Sequence, residues 1–116
     1  MCTAIITGTG QGIGKAIASL LLKKGYFVYG ISRKNYINNP NFKHVKFDLS
    51  DVQALKGIPL PKTKTNKIIL INNAATIGEI APLDLKKEVN IIKEYNVNII
   101  APTILCRKFI KEYIGI

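Results

Sequence analysis

Short apolar runs alternate with stretches of helical periodicity along this chain, and each pattern predicts a different element. Residues 4–7 form a β-branched run that ends in glycines, which is typical of a buried strand. Apolar positions then recur at helical spacing over residues 12–24, where two lysines precede a glycine stop signal. Residues 26–32 are rich in aromatic and β-branched side chains and predict a second strand.

The pattern in the middle of the chain is less regular. Residues 33–44 contain four asparagines and a proline, so we predict a loop there without a full helix. A short third strand is predicted over residues 45–47. Ser50 is placed to cap a short helix over residues 50–56, and the Pro- and Lys-rich residues 58–67 predict an exposed connection.

The last third of the chain predicts one strand and one long helix. The continuous apolar run over residues 68–71 is typical of a strand covered on both faces. After a loop over residues 74–83, helical periodicity extends over roughly 85–113, with a kink expected at Pro102. This succession predicts an α/β fold: a Rossmann-type doubly wound parallel sheet, incomplete, with strand order 3-2-1-4.

Composition narrows the class of protein. The 116 residues are 47% hydrophobic, which is enough for one domain with its own core and excludes a disordered chain. No apolar run approaches the roughly 18 residues that a membrane helix needs, so no membrane partner is expected. Two cysteines, Cys2 and Cys106, favour a reduced, cytoplasmic protein. We expect Cys106 in the core and His44 at the surface, with no metal site.

The charge is strongly positive and unevenly distributed. The net charge is +10, and residues 33–67 alone hold eight bases and two acids. Such a field favours an anionic partner: a phosphorylated cofactor, an acidic substrate or nucleic acid. Nucleic-acid binding is not expected, because an arginine cluster and interleaved aromatic residues are missing. The bases are mostly lysines, and an AT-rich coding bias would produce the same excess without any function.

A glycine-rich loop joins the first strand to the first helix. Residues 7–14 read Thr-Gly-Thr-Gly-Gln-Gly-Ile-Gly, with the spacing G-x-x-x-G-x-G at Gly8, Gly12 and Gly14. A phosphate that approaches a helix N-terminus meets unpaired N–H groups, and glycine leaves room for it. The alternative is a merely flexible turn. The position between strand and helix favours a dinucleotide site.

The end of the second predicted strand carries a cation where NAD-specific sites carry an acid. The sequence there is Ser32-Arg33-Lys34. A carboxylate at this point binds the ribose 2′-hydroxyl of NAD, whereas the arginine fork suits a 2′-phosphate. We therefore expect NADP(H) to be preferred and NAD(H) to be possible; the alternative is a solvated arginine.

Four motifs in this order resemble the short-chain dehydrogenase/reductase family over essentially the whole chain. They are the glycine loop at 7–14, Asp48 after the third predicted strand, Asn-Asn-Ala-Ala at 72–75, and Asn98 in the long helix. Within the family, Gly-Ile-Ser-Arg at 30–33 and Leu-Ile-Asn-Asn-Ala-Ala-Thr-Ile-Gly at 70–78 look most like the sepiapterin reductase and benzil reductase branch.

The resemblance implies roles for particular residues of the cofactor site. The glycine loop would line the cofactor diphosphate, and Ser32 with Arg33 would face the adenosine ribose and its phosphate. Asp48 and Leu49 would flank the adenine. The cofactor-binding residues expected in the glycine loop are Gly8, Gln11, Gly12, Ile13 and Gly14.

The same resemblance implies a nicotinamide side and one catalytic residue. Asn73, Ala74 and Ala75 would lie beside the nicotinamide ribose. Asn98 matches the asparagine that supports the proton relay through a water. The family has glycine where Ala75 stands, so Ala75 should adopt a negative φ.

The largest departure from the family concerns its chemistry. The family uses a serine and a Tyr-x-x-x-Lys pair, and no tyrosine of this chain is followed by lysine at that spacing. We expect residues 1–116 to be the N-terminal part of one NAD(P)-binding Rossmann domain. The C-terminal catalytic part would be absent and the chain itself inactive.

Three functions follow as hypotheses. The first is NADPH-dependent reduction of a small-molecule ketone or aldehyde by a full-length parent, expected to be a homo-oligomer. The second is a non-catalytic NAD(P)-binding sensor or regulatory module, and the third a basic nucleic-acid binder.

Overall fold

Four parallel strands form one sheet in the computed structural model, which describes residues 2–62 and 66–114. Their order across the sheet is third, second, first, fourth, so the predicted α/β doubly wound arrangement with order 3-2-1-4 is confirmed. This order is one of those that right-handed crossovers allow in a doubly wound sheet. The strands are β1 (Cys2–Thr7), β2 (Phe27–Ser32), β3 (Phe42–Lys46) and β4 (Lys67–Ile71).

Helices cover both faces of the sheet. Helix α1 (Gly12–Lys23) crosses from β1 to β2, and a long helical segment over residues 88–114 follows β4. Pro102 lacks the N–H that would bond to the carbonyl of residue 98, and the helix widens to a π turn just before it rather than ending. The long segment consists of α2 (Glu88–Tyr95), a π turn (Asn96–Ile100), α3 (Ala101–Phe109) and a second π turn (Ile110–Ile114), and a short 3₁₀ turn over Leu83–Leu85 precedes it.

The third strand starts three residues earlier in the structure than the predicted residue 45. Strand β3 begins at Phe42, inside the predicted loop, because Phe42 pairs in parallel register with Val28 of β2. Pairing with a neighbouring strand outweighs the local turn composition. The expectation of a crossover without a full helix before β3 is confirmed in the described residues.

The prediction of a short helix over residues 50–56 is wrong. The Ser50 hydroxyl donates a hydrogen bond to Asp48 Oδ1 (2.8 Å), so it does not cap a helix. A 3₁₀ turn over Ala54–Gly57 forms instead, and Asp51 Oδ1 accepts the Ala54 N–H at 3.2 Å. Ser, Asp and Asn side chains bind nearby backbone groups in turns as readily as at helix starts, and here the turn prevails.

Four burial expectations need correction. Ile58, in the predicted exposed connection, is buried, whereas residues 63–65 of that connection lie outside the described residues. Cys106 is exposed rather than in the core, and His44 is half-buried rather than on the surface. Residues 68–71 are half-buried rather than fully covered, because β4 is an edge of the described sheet.

The core consists of two layers, one on each face of the sheet. On one face, Ala18 of α1 packs against small and β-branched residues of β1 and β2. On the other face, α3 contributes Ala101 and Leu105. The two-sided burial of β1 and β2 makes the sheet rigid at the point where the glycine loop leaves it. The buried hydrophobic residues of the sheet are Ala4, Ile6 and Val28 on the α1 side and Ile5, Tyr29 and Ile31 on the α3 side.

Candidate functional site

The carboxyl ends of β1 and β4 are joined by a buried hydroxyl. Thr7 Oγ1 accepts hydrogen bonds from the backbone N–H groups of Asn73 and Ala74, each at 3.0 Å, and Thr7 is only 1% exposed. Parallel strands end at the same edge, so their following loops meet there. The loop at residues 72–75 is therefore held against the start of the glycine loop.

Two glycines of the loop allow close contact between backbone segments. Gly8 has a φ of +77°, and a side chain there would contact Asn73 and Ala74. Gly14 abuts the Gly8 carbonyl and the Asn73 side chain, so a Cβ at Gly14 would collide with both. Asn73 Nδ2 also donates to the Gly8 carbonyl at 3.4 Å. The structure thus brings together Gly8, Gly14, Asn73 and Ala74, four of the predicted site residues.

The start of α1 is open to a ligand. Gln11 occupies the N-cap position without a side-chain hydrogen bond to any described residue. Gly12 has a φ of +60°, and a Cβ built on it would meet no described atom within 4 Å. Ile13 is 73% exposed beside it. Uncapped N–H groups and the positive end of the helix dipole favour an anion, so these residues fit the diphosphate of a dinucleotide.

The end of β2 is adjacent to the glycine loop. Gly10 lies against the Lys34 carbonyl and Ser32, leaving no room for a Cβ. Ser32 Oγ donates to that carbonyl at 2.6 Å. His44 Nε2 lies 3.0 Å from both Ser32 Oγ and the Ser32 carbonyl oxygen, which explains its partial burial. These bonds fix the turn that presents Arg33.

A cavity of about 470 Å³ opens beside Arg33. The Asp48 carboxylate on its wall accepts hydrogen bonds from the Ser50 N–H (2.9 Å) and hydroxyl (2.8 Å). These bonds, with smaller contributions from Arg33 and Lys93, lower the pKa of Asp48 and keep it ionised. Leu49 beside it is buried. The lining residues are Arg33, Lys46, Phe47, Asp48 and Asp51.

Asn98 holds the loop that follows Ala75. Its Oδ1 accepts the Thr76 N–H and its Nδ2 donates to the Thr76 carbonyl, both at 2.8 Å. Asn98 lies in the π turn before Pro102, a helix irregularity that is frequent at functional sites. Every positive φ among the described residues belongs to glycine, so the expected negative φ at Ala75 is confirmed.

Sequence reasoning missed several residues of this region. Thr7 belonged to the predicted strand and to the glycine-loop motif, but no partner was predicted for its hydroxyl. Lys46 was not predicted as a site residue, and it lines the cavity beside Arg33 because β3 pairs with β2. Thr76 and Glu94 lie in a loop and a helix whose contact depends on the tertiary fold. The single available signal was the spacing of four residues between Glu94 and Asn98, which places them on one helix face.

The described residues contain neither a group of metal ligands nor a membrane span. No group of three or more His, Cys, Asp or Glu side chains in residues 2–62 and 66–114 lies where it could hold a metal ion. No helix in that part of the chain is both long enough and apolar enough to cross a bilayer.

Comparison with known proteins gives relatives over nearly the whole chain. Benzil reductase ((S)-benzoin forming) of Bacillus cereus is 33% identical over 93% of this chain and 49% of its own length. The NADPH-dependent 3-dehydrocapnine reductase of Ornithobacterium rhinotracheale is 31% identical over 92% of this chain and 41% of its own length. The chain therefore spans less than half the length of these relatives.

A solved structure and a family model agree with these relatives. The structure of 4-hydroxyisoleucine dehydrogenase complexed with NADH superposes with a TM-score of 0.77 at 30% identity, over 98% of this chain and 50% of that one. The family model described as short chain dehydrogenase matches residues 2–115. A family-model match over nearly the whole chain, together with relatives at 30% identity or more, shows that this chain belongs to the short-chain dehydrogenase/reductase family of oxidoreductases.

Proposed function

We propose that this protein serves the NADPH-dependent reduction of a carbonyl compound, a ketone or an aldehyde, to the alcohol. The observation that carries the proposal is the open, uncapped start of α1 at Gly12, beside the 72–75 loop that Thr7 holds. Backbone N–H groups there would bind the diphosphate. The bound cofactor would supply the hydride.

The cofactor-binding roles are proposed residue by residue. Gly8, Gln11, Gly12 and Ile13 would line the diphosphate, and Gly14 would keep the loop close to the helix. Ser32, Arg33, Asp48 and Leu49 would surround the adenosine end. Asn73, Ala74 and Ala75 would form a wall beside the nicotinamide ribose, with Asn98 behind it as the catalytic-site asparagine.

The proposed preference for NADP(H) rests on charge at the adenosine end. Arg33 and Lys46 line the same cavity, and neither has an ion-pair partner that is seen in the described residues. The cavity's two acids are both engaged: Asp48 by Ser50 and Asp51 by the Ala54 N–H. The two cations therefore remain available for a 2′-phosphate. One relative is NADPH-dependent by name and another was solved with NADH, so NAD(H) stays possible.

The catalytic part of the proposal needs more residues than the 116 supply. A Tyr-x-x-x-Lys pair, which the family uses as general acid and pKa-lowering partner, does not occur in this sequence. We propose that residues 1–116 are the cofactor-binding part of a Rossmann domain. That part would bind cofactor without turnover, and a longer parent would carry the reaction. The missing pair is also the observation that favours the second candidate, a non-catalytic NAD(P)-binding sensor.

A titration of NADPH and NADH tests the proposed binding site and its preference. Replacing Arg33 by Ala removes charge-assisted hydrogen bonds to a phosphate, so NADPH affinity should fall about 10- to 100-fold. Lys46→Met should weaken NADPH by about two- to fivefold, because an exposed cation is screened. NADH affinity should stay nearly constant in both variants.

Lys43→Met is the matched control for Lys46→Met. Lys43 lies three residues earlier on β3 and lines a different cavity, so its replacement should leave NADPH affinity unchanged. NADH binding as tight as NADPH binding would reject the preference. The absence of any nucleotide binding would reject the site. Turnover of a carbonyl substrate by a parent that carries Tyr-x-x-x-Lys would separate the reductase from the sensor.

The setting of the protein is also part of the proposal. A cytoplasmic location is supported by the two free cysteines, Cys2 and Cys106. We also propose that the full-length parent is a homo-oligomer, that it acts on a small molecule, and that it has no nucleic-acid partner. Affinity for DNA that falls steeply with salt and does not respond to NADPH would contradict the last point.

A further inference from the structure

The loop after Ala75 is tied to the long helix at two points. We call residues 76–79 the strap. Its first residue, Thr76, is held by Asn98, and its last residue, Glu79, is held by Glu94. Glu94 and Asn98 are four residues apart and bind the strap from the same helix face.

Glu94 makes an unusually complete set of contacts for a residue on an exposed helix. Its Oε1 accepts the Glu79 N–H at 2.9 Å, and its Oε2 lies 2.9 Å from Lys86 Nζ. Gly78, with a φ of +66°, lies so close to the carboxylate that a Cβ would collide with it. The side chain is only 15% exposed. The strap backbone is therefore built around this carboxylate.

Further bonds close the strap onto the helix start. The Gly78 N–H donates to Thr76 Oγ1 at 3.0 Å, and Glu79 Oε1 accepts the Lys87 N–H at 3.0 Å, just before α2. The Lys86 ammonium and the Glu79 N–H lower the pKa of Glu94, so the carboxylate is charged at neutral pH. Hydrogen bonds to a charged acceptor are stronger than neutral ones.

We infer that Glu94 is a positioning residue, which fastens the far end of the strap and thereby keeps Thr76 on Asn98 and the Ala74–Ala75 wall in place. The inference rests on the proposed function only in that this wall faces the nicotinamide ribose. Burial alone does not hold the strap, because Ile77 is 83% exposed. Its order therefore depends on polar bonds, of which Glu94 makes the charged ones.

Amide hydrogen exchange of the strap tests the mechanical part of this inference. Glu94→Ala should speed exchange of the Glu79 and Thr76 amides by about tenfold or more, the equilibrium factor for losing a charged hydrogen bond. Glu94→Gln, whose amide oxygen still accepts the Glu79 N–H, should restore most of the protection. Glu88→Gln removes the same charge from the first turn of the same helix and should change nothing.

Two nucleotide probes test the link to the site. In Glu94→Ala, NADPH should bind about three- to tenfold more weakly, because part of its contact lies at the wall. Adenosine 2′,5′-bisphosphate, which lacks the nicotinamide half, should bind as before. General loss of structure would weaken both probes. If Glu94→Ala does not fold, Lys86→Met loosens the same carboxylate and should give the same pattern with smaller changes.

The outcomes separate the two proposals. Unchanged exchange at Glu79, or faster exchange at Glu79 with Thr76 still fully protected, would overturn the role of Glu94. Equal weakening of NADPH and adenosine 2′,5′-bisphosphate would also overturn it. A protein that binds neither probe, yet opens at Thr76 and Glu79 in Glu94→Ala, would refute the proposed function and leave the fastening of the strap intact.

Discussion

Two regions of the molecule are stabilised by different interactions. We call β1, α1 and β2 with the glycine loop the glycine-loop half, and residues 76–114 the Asn98 half. In β1, residues 3–7 are all buried, and in β2 the four central residues are buried. Among residues 76–114, by contrast, only Ala101 and Leu105 are buried, and eleven large hydrophobic side chains there are exposed. The glycine-loop half derives its geometry from strand pairing and dry packing. The Asn98 half depends on a few side-chain hydrogen bonds.

The largest effect is expected where backbone segments touch in the glycine-loop half. Gly14→Ala should lower the free energy of unfolding by about 3 kcal/mol or more, because its Cβ would strike the Gly8 carbonyl. It should also abolish nucleotide binding. Gly57→Ala is the control, since a Cβ there meets no described atom within 4 Å and should change stability by less than about 1 kcal/mol. Similar urea midpoints for the two variants would refute the close contact.

The long helix offers a second pair of variants. Leu105→Ala, at a residue that is 1% exposed, should lower the free energy of unfolding by about 3 kcal/mol through lost burial and a cavity. Ile99→Ala, at a residue that is 54% exposed, should change it by less than about 0.5 kcal/mol. Chemical denaturation measures both. A large loss in Ile99→Ala would mean that this exposed face is covered in solution.

The contribution of the Thr7 hydroxyl is measured against a second buried threonine on the same strand. Thr7→Val should lower the free energy of unfolding by about 2 kcal/mol, because the Asn73 and Ala74 N–H groups lose their acceptor. Thr3 Oγ1 is buried without a partner in the described residues, so Thr3→Val should be neutral or stabilising by up to about 1 kcal/mol. Equal losses in thermal or urea unfolding would contradict this assignment.

The smallest effect concerns alkaline pH. The Tyr113 hydroxyl donates to the Pro61 carbonyl at 2.6 Å, and burial, followed by Glu112 and Tyr29, raises the pKa of Tyr113 to about 12. The folded pKa lies above the ordinary value of about 10, so this stabilisation is complete below pH 10 and is lost between pH 10 and 12. Tyr113→Phe should flatten the loss of stability in that window. Tyr36→Phe, with an exposed ring, should not.

Local sequence patterns were sufficient for the elements of the glycine-loop half. The run before Gly8, the helical spacing after Gly12 and the strand before Arg33 each depend on residues close in sequence. The alternation of strands and helices, read as a doubly wound sheet with right-handed crossovers, then predicted the strand order. Two predictions failed: the start of β3, which lies at Phe42, and the helix after Ser50. In the first, pairing with a neighbouring strand outweighed local propensity, and in the second a side-chain hydrogen bond did.

The sequence by itself determined the α/β class, the strand order and the glycine-lined helix start, because periodicity, turn residues and crossover handedness are local or general properties of the chain. Only the tertiary structure decided which polar atoms meet. The Thr7 hydroxyl accepts N–H groups 66 and 67 residues away, and Asn98 binds Thr76 across 22 residues. Such bonds depend on how separate elements are placed in space, which no local pattern records.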